Sequence, residues 1–195
     1  MGAGVVELKC PGCGTPVSMG TNECPTCGSP IVISTFNSVF DMELPKVSRY
    51  VGNYNKMLSE DPEDREINGA IAMCFLKLKL YDKAIASFEK AIIDNFDNSE
   101  TYFYAAVSLL RGKRPFVAMR NDIDKVLEYI NAANMIEPRG IYYLFDAFVR
   151  KDYFERKFLN ISPSYVEQLN MVAMYGVSDT DIGILQDLIN CDIIL

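Results

Sequence analysis

Cys10-Pro11-Gly12-Cys13-Gly14 is repeated a short interval later as Cys24-Pro25-Thr26-Cys27-Gly28. Each C-x-x-C presents two sulfurs from one tight turn, and a hairpin between two such turns closes a tetrahedral thiolate cage. Gly14 and Gly28 fall where a knuckle of this kind needs φ > 0, and Pro11 and Pro25 pre-set the turn between the ligands. Cys10, Cys13, Cys24 and Cys27 are therefore the candidate metal ligands. The chain has no histidine, so an all-cysteine shell suits any zinc site here, and the commonest general base is missing. A unit as small as residues 1–34 cannot fold on buried surface alone. Bound metal must supply folding free energy, on the order of 10 kcal/mol or more for structural zinc.

The paired C-P-x-C-G knuckles resemble the zinc-ribbon family, which implies a small β unit around a structural Zn2+. Val5-Val6-Glu7-Leu8 reads as a strand leading into the first knuckle and Ile31-Val32-Ile33 as one leaving the second. Rubredoxins hold iron with similar knuckles, but their pairs lie much farther apart, so zinc is favoured over iron. A thioredoxin-like redox motif occurs once, on a βαβ unit, and no such unit is visible. A thiol-redox or metal-sensing role would require a knuckle free of metal.

With 195 residues and 49% hydrophobic content, the chain can form one sizeable core plus a small satellite domain and should be folded and soluble. Its best uncharged, mostly apolar runs, Ile31 to Phe40 and Thr101 to Leu110, are about half a membrane span. Met1 to Lys9 leave no room for a signal peptide before the first cysteine, so a cytoplasmic location is the default expectation, and metal thiolates are favoured over disulfides. Net charge is −7. The charges in residues 1–34 are Glu7, Lys9 and Glu23, and from Phe158 onward Glu167, Asp179, Asp181, Asp187 and Asp192 stand without a Lys or Arg. A near-neutral ribbon and an acidic end disfavour nucleic acid as partner.

After a docked linker at 35–45, opened to a helical pattern by Pro45, the periodicity is helical throughout. Tyr81-Asp82-Lys83-Ala84-Ile85-Ala86-Ser87-Phe88-Glu89-Lys90-Ala91 places alanine, aromatic and alanine at the spacing of a closely crossing helix. Ile71, Ala72 and Phe75 precede it on a partner helix, Pro62 stands one period of about 34 residues back at a position where a unit closes with proline, and Tyr102, Ala105, Ala106 and Leu109 begin the next unit. This pattern resembles tetratricopeptide (TPR) repeats over roughly residues 46–150. In the helix at about 46–60, Tyr50 replaces the expected alanine, which marks a capping half-repeat. Pro138 closes a unit late, after Val126, Ile130 and Ala133, so an insertion lies within Gly112 to Asp124. Tyr142, Phe145 and Val149 keep the phase for one more helix. Ser162-Pro163 then reads as a cap and first-turn proline for a helix ending at Gly176, and a last helix runs from Ser178 or Asp179 to Asn190. The expected fold class is mainly α: a TPR-like superhelical array of about eight helices over 46–195, irregular after about 150, behind a small N-terminal β zinc ribbon.

The resemblance implies a concave groove lined by the first helices of each pair. On this sequence that face carries Met73, Lys77, Phe103, Tyr104, Val107, Arg111, Tyr143, Ala147 and Arg150, an aromatic trough with a basic rim. The residues that clamp a peptide carboxylate in chaperone-binding members are missing, since Gly69 and Met73 stand at two of the places. Against an open groove stands the reading that these aromatics pack on the ribbon or the C-terminal helices. Arg111, Lys113, Arg114 and Arg120 form a basic patch in the insertion, either a solvated loop or a site for an acidic partner or phosphate. Arg150, Lys151, Arg156 and Lys157 are diluted by Asp152 and Glu155. Cys74 reads as a buried small hydrophobe. Cys191 leads into an apolar Ile193-Ile194-Leu195, which packs on the last helices or enters another copy's groove, a route to homo-oligomers. Carboxylates are plentiful, but none is joined to a phosphate loop, nucleophile elbow or second metal motif. The expected function is a non-catalytic adaptor for a protein or peptide partner, not an enzyme; the alternative is a nucleic-acid-associated zinc-ribbon factor of transcription or replication.

Overall fold

A computed structural model describes residues 8–18, 21–93, 95 and 97–193. Two short strands, β1 (Leu8–Lys9) and β2 (Pro16–Val17), flank the first knuckle and pair antiparallel, Leu8 opposite Val17 and Lys9 opposite Pro16. The second half of the ribbon has a single bridge, between Glu23 and Pro30. The strand expected at Ile31-Val32-Ile33 does not form. Its backbone is claimed by a side chain: the Tyr54 hydroxyl donates to the Ile31 carbonyl (3.0 Å) and accepts from the Ile33 N–H (3.1 Å). Val5-Val6-Glu7 lie outside the described residues.

All longer elements are helical: α1 (Asn37–Phe40), α2 (Leu44–Glu60), α3 (Arg65–Lys77), α4 (Tyr81–Ile92), α5 (Ser99–Leu109), α6 (Arg120–Ile136), α7 (Gly140–Val149), α8 (Tyr165–Tyr175) and α9 (Asp179–Ile189). Pro45 sits in the first turn of α2, where a missing N–H costs nothing. Asp64, Asn98 and Ser178 cap α3, α5 and α9 by accepting from the backbone N–H three residues on. The cap of α8 is Ser164 rather than the expected Ser162. Ser164 and Glu167 satisfy each other's backbone N–H groups, whereas the residue three beyond Ser162 is Tyr165, which has no carboxylate to return the bond.

Consecutive helices pack against one another, α2 on α3, α3 on α4, and so on to α7 on α8. The α3–α4 crossing is close: Ala84 and Ala91 are fully buried, and a Cβ at Gly69 would stand 3.7 Å from that of Ala91. The region expected as a linker contains α1, whose Val39 is fully buried, as is Phe36 at its N-cap. At the far end α9 lies on α5, with the Lys79 ammonium 3.3 Å from Asp187 and the Tyr81 hydroxyl donating to the Leu188 carbonyl. Residues of α1 to α7 and of α9 share one hydrophobic core. Where α7 begins, Gly140 passes so near the end of α8 that a Cβ there would lie 1.7 Å from the Gly176 carbonyl oxygen.

The insertion after α5 turns at Gly112 (φ 66°) and makes one 3-10 turn at Pro115–Val117. It is held from below by Asp152, in a wide π-helical turn (Arg150–Phe154) that continues α7. The buried Asp152 carboxylate accepts from Arg114 (2.6 Å), Arg156 (2.6 Å) and the Phe116 N–H (2.9 Å). Burial alone would push this carboxyl up, but those three donors outweigh it and hold it below the ordinary carboxylate value.

Candidate metal centre

The two knuckles have the same backbone. In each, the N–H of the glycine returns to the carbonyl of the first cysteine (Gly14 to Cys10, Gly28 to Cys24), and the N–H of that cysteine donates to the residue after the glycine (Cys10 to Thr15, Cys24 to Ser29), all at 2.8 Å. Gly14 and Gly28 take φ of 81° and 65°, the left-handed conformation the sequence requires. The likeness extends two residues beyond the motif read from sequence, since Cys10-Pro11-Gly12-Cys13-Gly14-Thr15-Pro16 aligns with Cys24-Pro25-Thr26-Cys27-Gly28-Ser29-Pro30. A hydroxyl residue thus follows each knuckle.

The four sulfurs come together within 4.8 Å of one another. Cys10 Sγ lies 3.7 Å from Cys27 Sγ, and Cys13 Sγ 3.6 Å from Cys24 Sγ. A metal–sulfur bond of about 2.3 Å places tetrahedral sulfurs about 3.8 Å apart, so the cysteines are spaced to hold one ion without rearrangement. Cys10 and Cys24 face inward with Ile31, while Cys13 and Cys27 face solvent. The environments split accordingly. Burial pushes the Cys10 thiol up to about 12, whereas Thr15, 3.2 Å from the Cys13 sulfur, brings that thiol down to about 6. Ser29 lowers Cys27 in the same way. Cys13 and Cys27 ionise readily, whereas Cys10 would give up its proton only to a bound metal.

The ribbon is clamped to the helices by α2. Tyr50 and Tyr54 are fully buried, their rings 5.7 Å apart edge to face. Tyr50 donates to the Pro30 carbonyl (2.7 Å), Tyr54 bridges Ile31 and Ile33, and Asn53 donates to the Pro11 carbonyl (2.9 Å). These docking residues were absent from the sequence-based site. The signal was Tyr50 itself, a large side chain where the repeat pattern calls for alanine.

The residues of the expected trough are closed off. Met73, Phe103, Tyr104 and Val107 are core side chains, each less than 10% exposed. Phe36, at the N-cap of α1, covers Tyr104 at 4.6 Å between ring centroids, and Phe103 packs between Tyr142 (4.5 Å) and Phe145 (5.7 Å). Ala147 is also fully buried. The rim is paired internally: Lys77 caps the Phe40 ring at 4.4 Å, Arg111 binds Asp82 and Asp122, and Arg150 is buried on Asp146 (2.6 Å) and the Pro163 carbonyl. Tyr143 stacks on Tyr175, 5.4 Å away. Packing on the chain's own terminal elements, the alternative set beside the open groove, thus accounts for most of this face. What stays open is a cavity of about 410 Å³ between α5, the start of α7 and the α8–α9 turn. Glu100, paired with Arg139 at 2.9 Å, Asp181 and Tyr104 line it, and the Tyr104 hydroxyl makes no hydrogen bond among the described residues.

The basic patch of the insertion is likewise engaged, Arg111 and Arg114 as above and Arg120 by Asp124 at 2.8 Å; Lys113 is exposed. Cys74 is fully buried, its thiol pushed up to about 12 by burial, as a small hydrophobe should be. Cys191 and Ile193 pack partly against the core; Ile194 and Leu195 lie outside the described residues. No helix among the described residues is long and apolar enough to cross a membrane. Compared with known protein families and with curated proteins, the sequence matches none.

Proposed function

We propose that the chain is a non-catalytic adaptor that binds protein partners, built from a zinc ribbon clamped to TPR-like helical pairs. Zinc is supported by the closed four-thiolate shell at tetrahedral spacing and by the short interval between knuckles, both suited to a structural ion. Successive packing of α3 on α4, α5 on α6 and α7 on α8, with small residues at the α3–α4 crossing, supports the repeat-like reading.

The observation that carries partner binding is the cavity beside Tyr104. It lies where the expected trough is not filled, between two first helices of the array, with aromatic walls, a carboxylate–guanidinium pair and a hydroxyl with no partner. Such a recess suits a single anchoring side chain of a partner protein. Asn37 lines it and is exposed, so Asn37→Trp is expected to plug the recess and leave the fold intact, which circular dichroism checks. In a pull-down from nuclease-treated cell extract, the wild type is expected to retain defined protein bands that Asn37→Trp loses. Identical bands from both, or bands that vanish with nuclease, would overturn this reading, the second outcome in favour of a nucleic-acid-associated factor.

A further inference from the structure

Among the described residues, one arginine is left without a partner. Arg111, Arg114, Arg120, Arg139, Arg150 and Arg156 each hold a carboxylate, and Arg65 also has a partner. Arg49 has neither carboxylate, carbonyl nor ring. Carboxylates are not scarce, since the chain has 26 acidic against 19 basic residues.

Arg49 stands on α2, exposed, one turn from Gly52 and Asn53 and two from Lys56. These four line one side of a groove of about 350 Å³ whose other side is the first knuckle, Pro11 to Gly14. Lys56 is exposed, and among the described residues its ammonium also has no partner. Lys46, likewise unpaired among the described residues, extends the same helix face by another turn. The floor is open, because nothing lies within 4 Å of where a Cβ on Gly52 would be, so a ligand's backbone can approach α2 closely.

We propose that this groove binds an acidic, extended peptide segment of a partner protein. Arg49 and Lys56 are separated by about 10 Å along the helix. Acidic side chains on one side of an extended strand recur at about 7 Å and 13 Å, which brackets that separation within the reach of two long side chains. The lining has no aromatic side chain on which a base could stack, which favours a peptide over single-stranded nucleic acid. The acidic remainder of the molecule repels such a segment elsewhere and so directs it to this face. The inference rests on the adaptor reading in that its ligand is protein, but the groove is separate from the cavity beside Tyr104, and Asn37→Trp leaves it intact.

The test uses the metal-loaded full chain and a fluorescein-labelled octaglutamate peptide, followed by anisotropy at low salt. Arg49→Glu is expected to weaken binding about tenfold, because reversal replaces an attraction with a repulsion of similar size. Lys113→Glu, exposed on the insertion, is expected to leave binding within about twofold as a control for net charge. Equal effects of the two substitutions, or no peptide binding by the wild type, overturn the proposal. So does an oligothymidylate that binds more tightly than the peptide and is lost with Arg49→Glu, which would make the groove a nucleic-acid site. Metal content of Arg49→Glu should equal that of the wild type; loss of metal would assign Arg49 to charge compensation of the cage and overturn the proposal as well.

Discussion

Tyr54→Phe removes one oxygen and leaves the ring in place, so almost all of its effect comes from two backbone groups. The Tyr54 hydroxyl is at once donor to the Ile31 carbonyl and acceptor for the Ile33 N–H, at 3.0 and 3.1 Å. Ile31 and Ile33 are 6% and 2% exposed, so water does not readily replace the lost partner. An unsatisfied buried group costs about 1–3 kcal/mol, and two of them, partly relieved by relaxation, give about 2–4 kcal/mol. For a domain of this size that lowers Tm by about 4–16 °C. Tyr50→Phe is the internal control. It loses one bond, to the carbonyl of the only partly buried Pro30, and is expected to cost about 1 kcal/mol. The assay is urea unfolding of the metal-loaded chain followed by circular dichroism, with retained metal measured in parallel. A Tyr54→Phe cost below about 0.5 kcal/mol, or a larger cost for Tyr50→Phe, would refute the view that this hydroxyl takes the place of a missing strand.

Three further outcomes follow from the geometry. Asp152→Asn is expected to destabilise by about 1–3 kcal/mol at neutral pH, less than a fully buried pair because Arg114 and Arg156 are 43% and 47% exposed. Since the folded carboxyl titrates below its ordinary value of about 3.9, that stabilisation is complete above the ordinary value and lost as pH falls through the folded one. The gap between wild type and variant should therefore close in acid, as denaturation at stepped pH will report. Gly140→Ala, ordinarily a favourable change in a helix, should cost about 2–3 kcal/mol because the new Cβ meets the Gly176 backbone. A variant as stable as the wild type in thermal melts would mean the two segments separate freely. A thiol-competing chelator should unfold the ribbon while the helical circular dichroism signal persists, and metal uptake by the apo chain should release protons and tighten as pH rises, since Cys10 must give up a proton held to about 12. Calorimetry in buffers of different ionisation enthalpy counts those protons.

The metal cage was legible because its determinants are local. Two glycines, two prolines and four cysteines at fixed offsets dictate the same turn twice, with little help from the rest of the chain. Helix pairs were legible for a similar reason, since alanine and aromatic spacing along one helix reports a close neighbour. The strand at Ile31 to Ile33 was not, because β-branched residues describe a fit to a half-buried surface, and here that surface is a tyrosine hydroxyl from α2. Nor was the fate of the trough, since Phe103 and Tyr104 look alike as core and as binding surface. What decides between them is Phe36 and Ile184, far away in sequence and without periodic relation to them. The pairing of the basic patch was hidden for the same reason: Asp82 and Asp152, which hold Arg111 and Arg114, come from other elements.

The closing of α1 and α9 over α5 also governs how the molecule comes apart. An array whose helices touch only their neighbours frays from its ends, each unit melting nearly on its own. Here Lys79 meets Asp187 across 108 residues of chain, and Glu100 in α5 accepts from the backbone of Phe36, before α1. Both ends are fastened to the middle, so neither can peel away without uncovering the central aromatics. The helical part should therefore unfold in one concerted transition, and folding must wait for its most distant contacts, which makes it slower than the local repeat pattern alone would give.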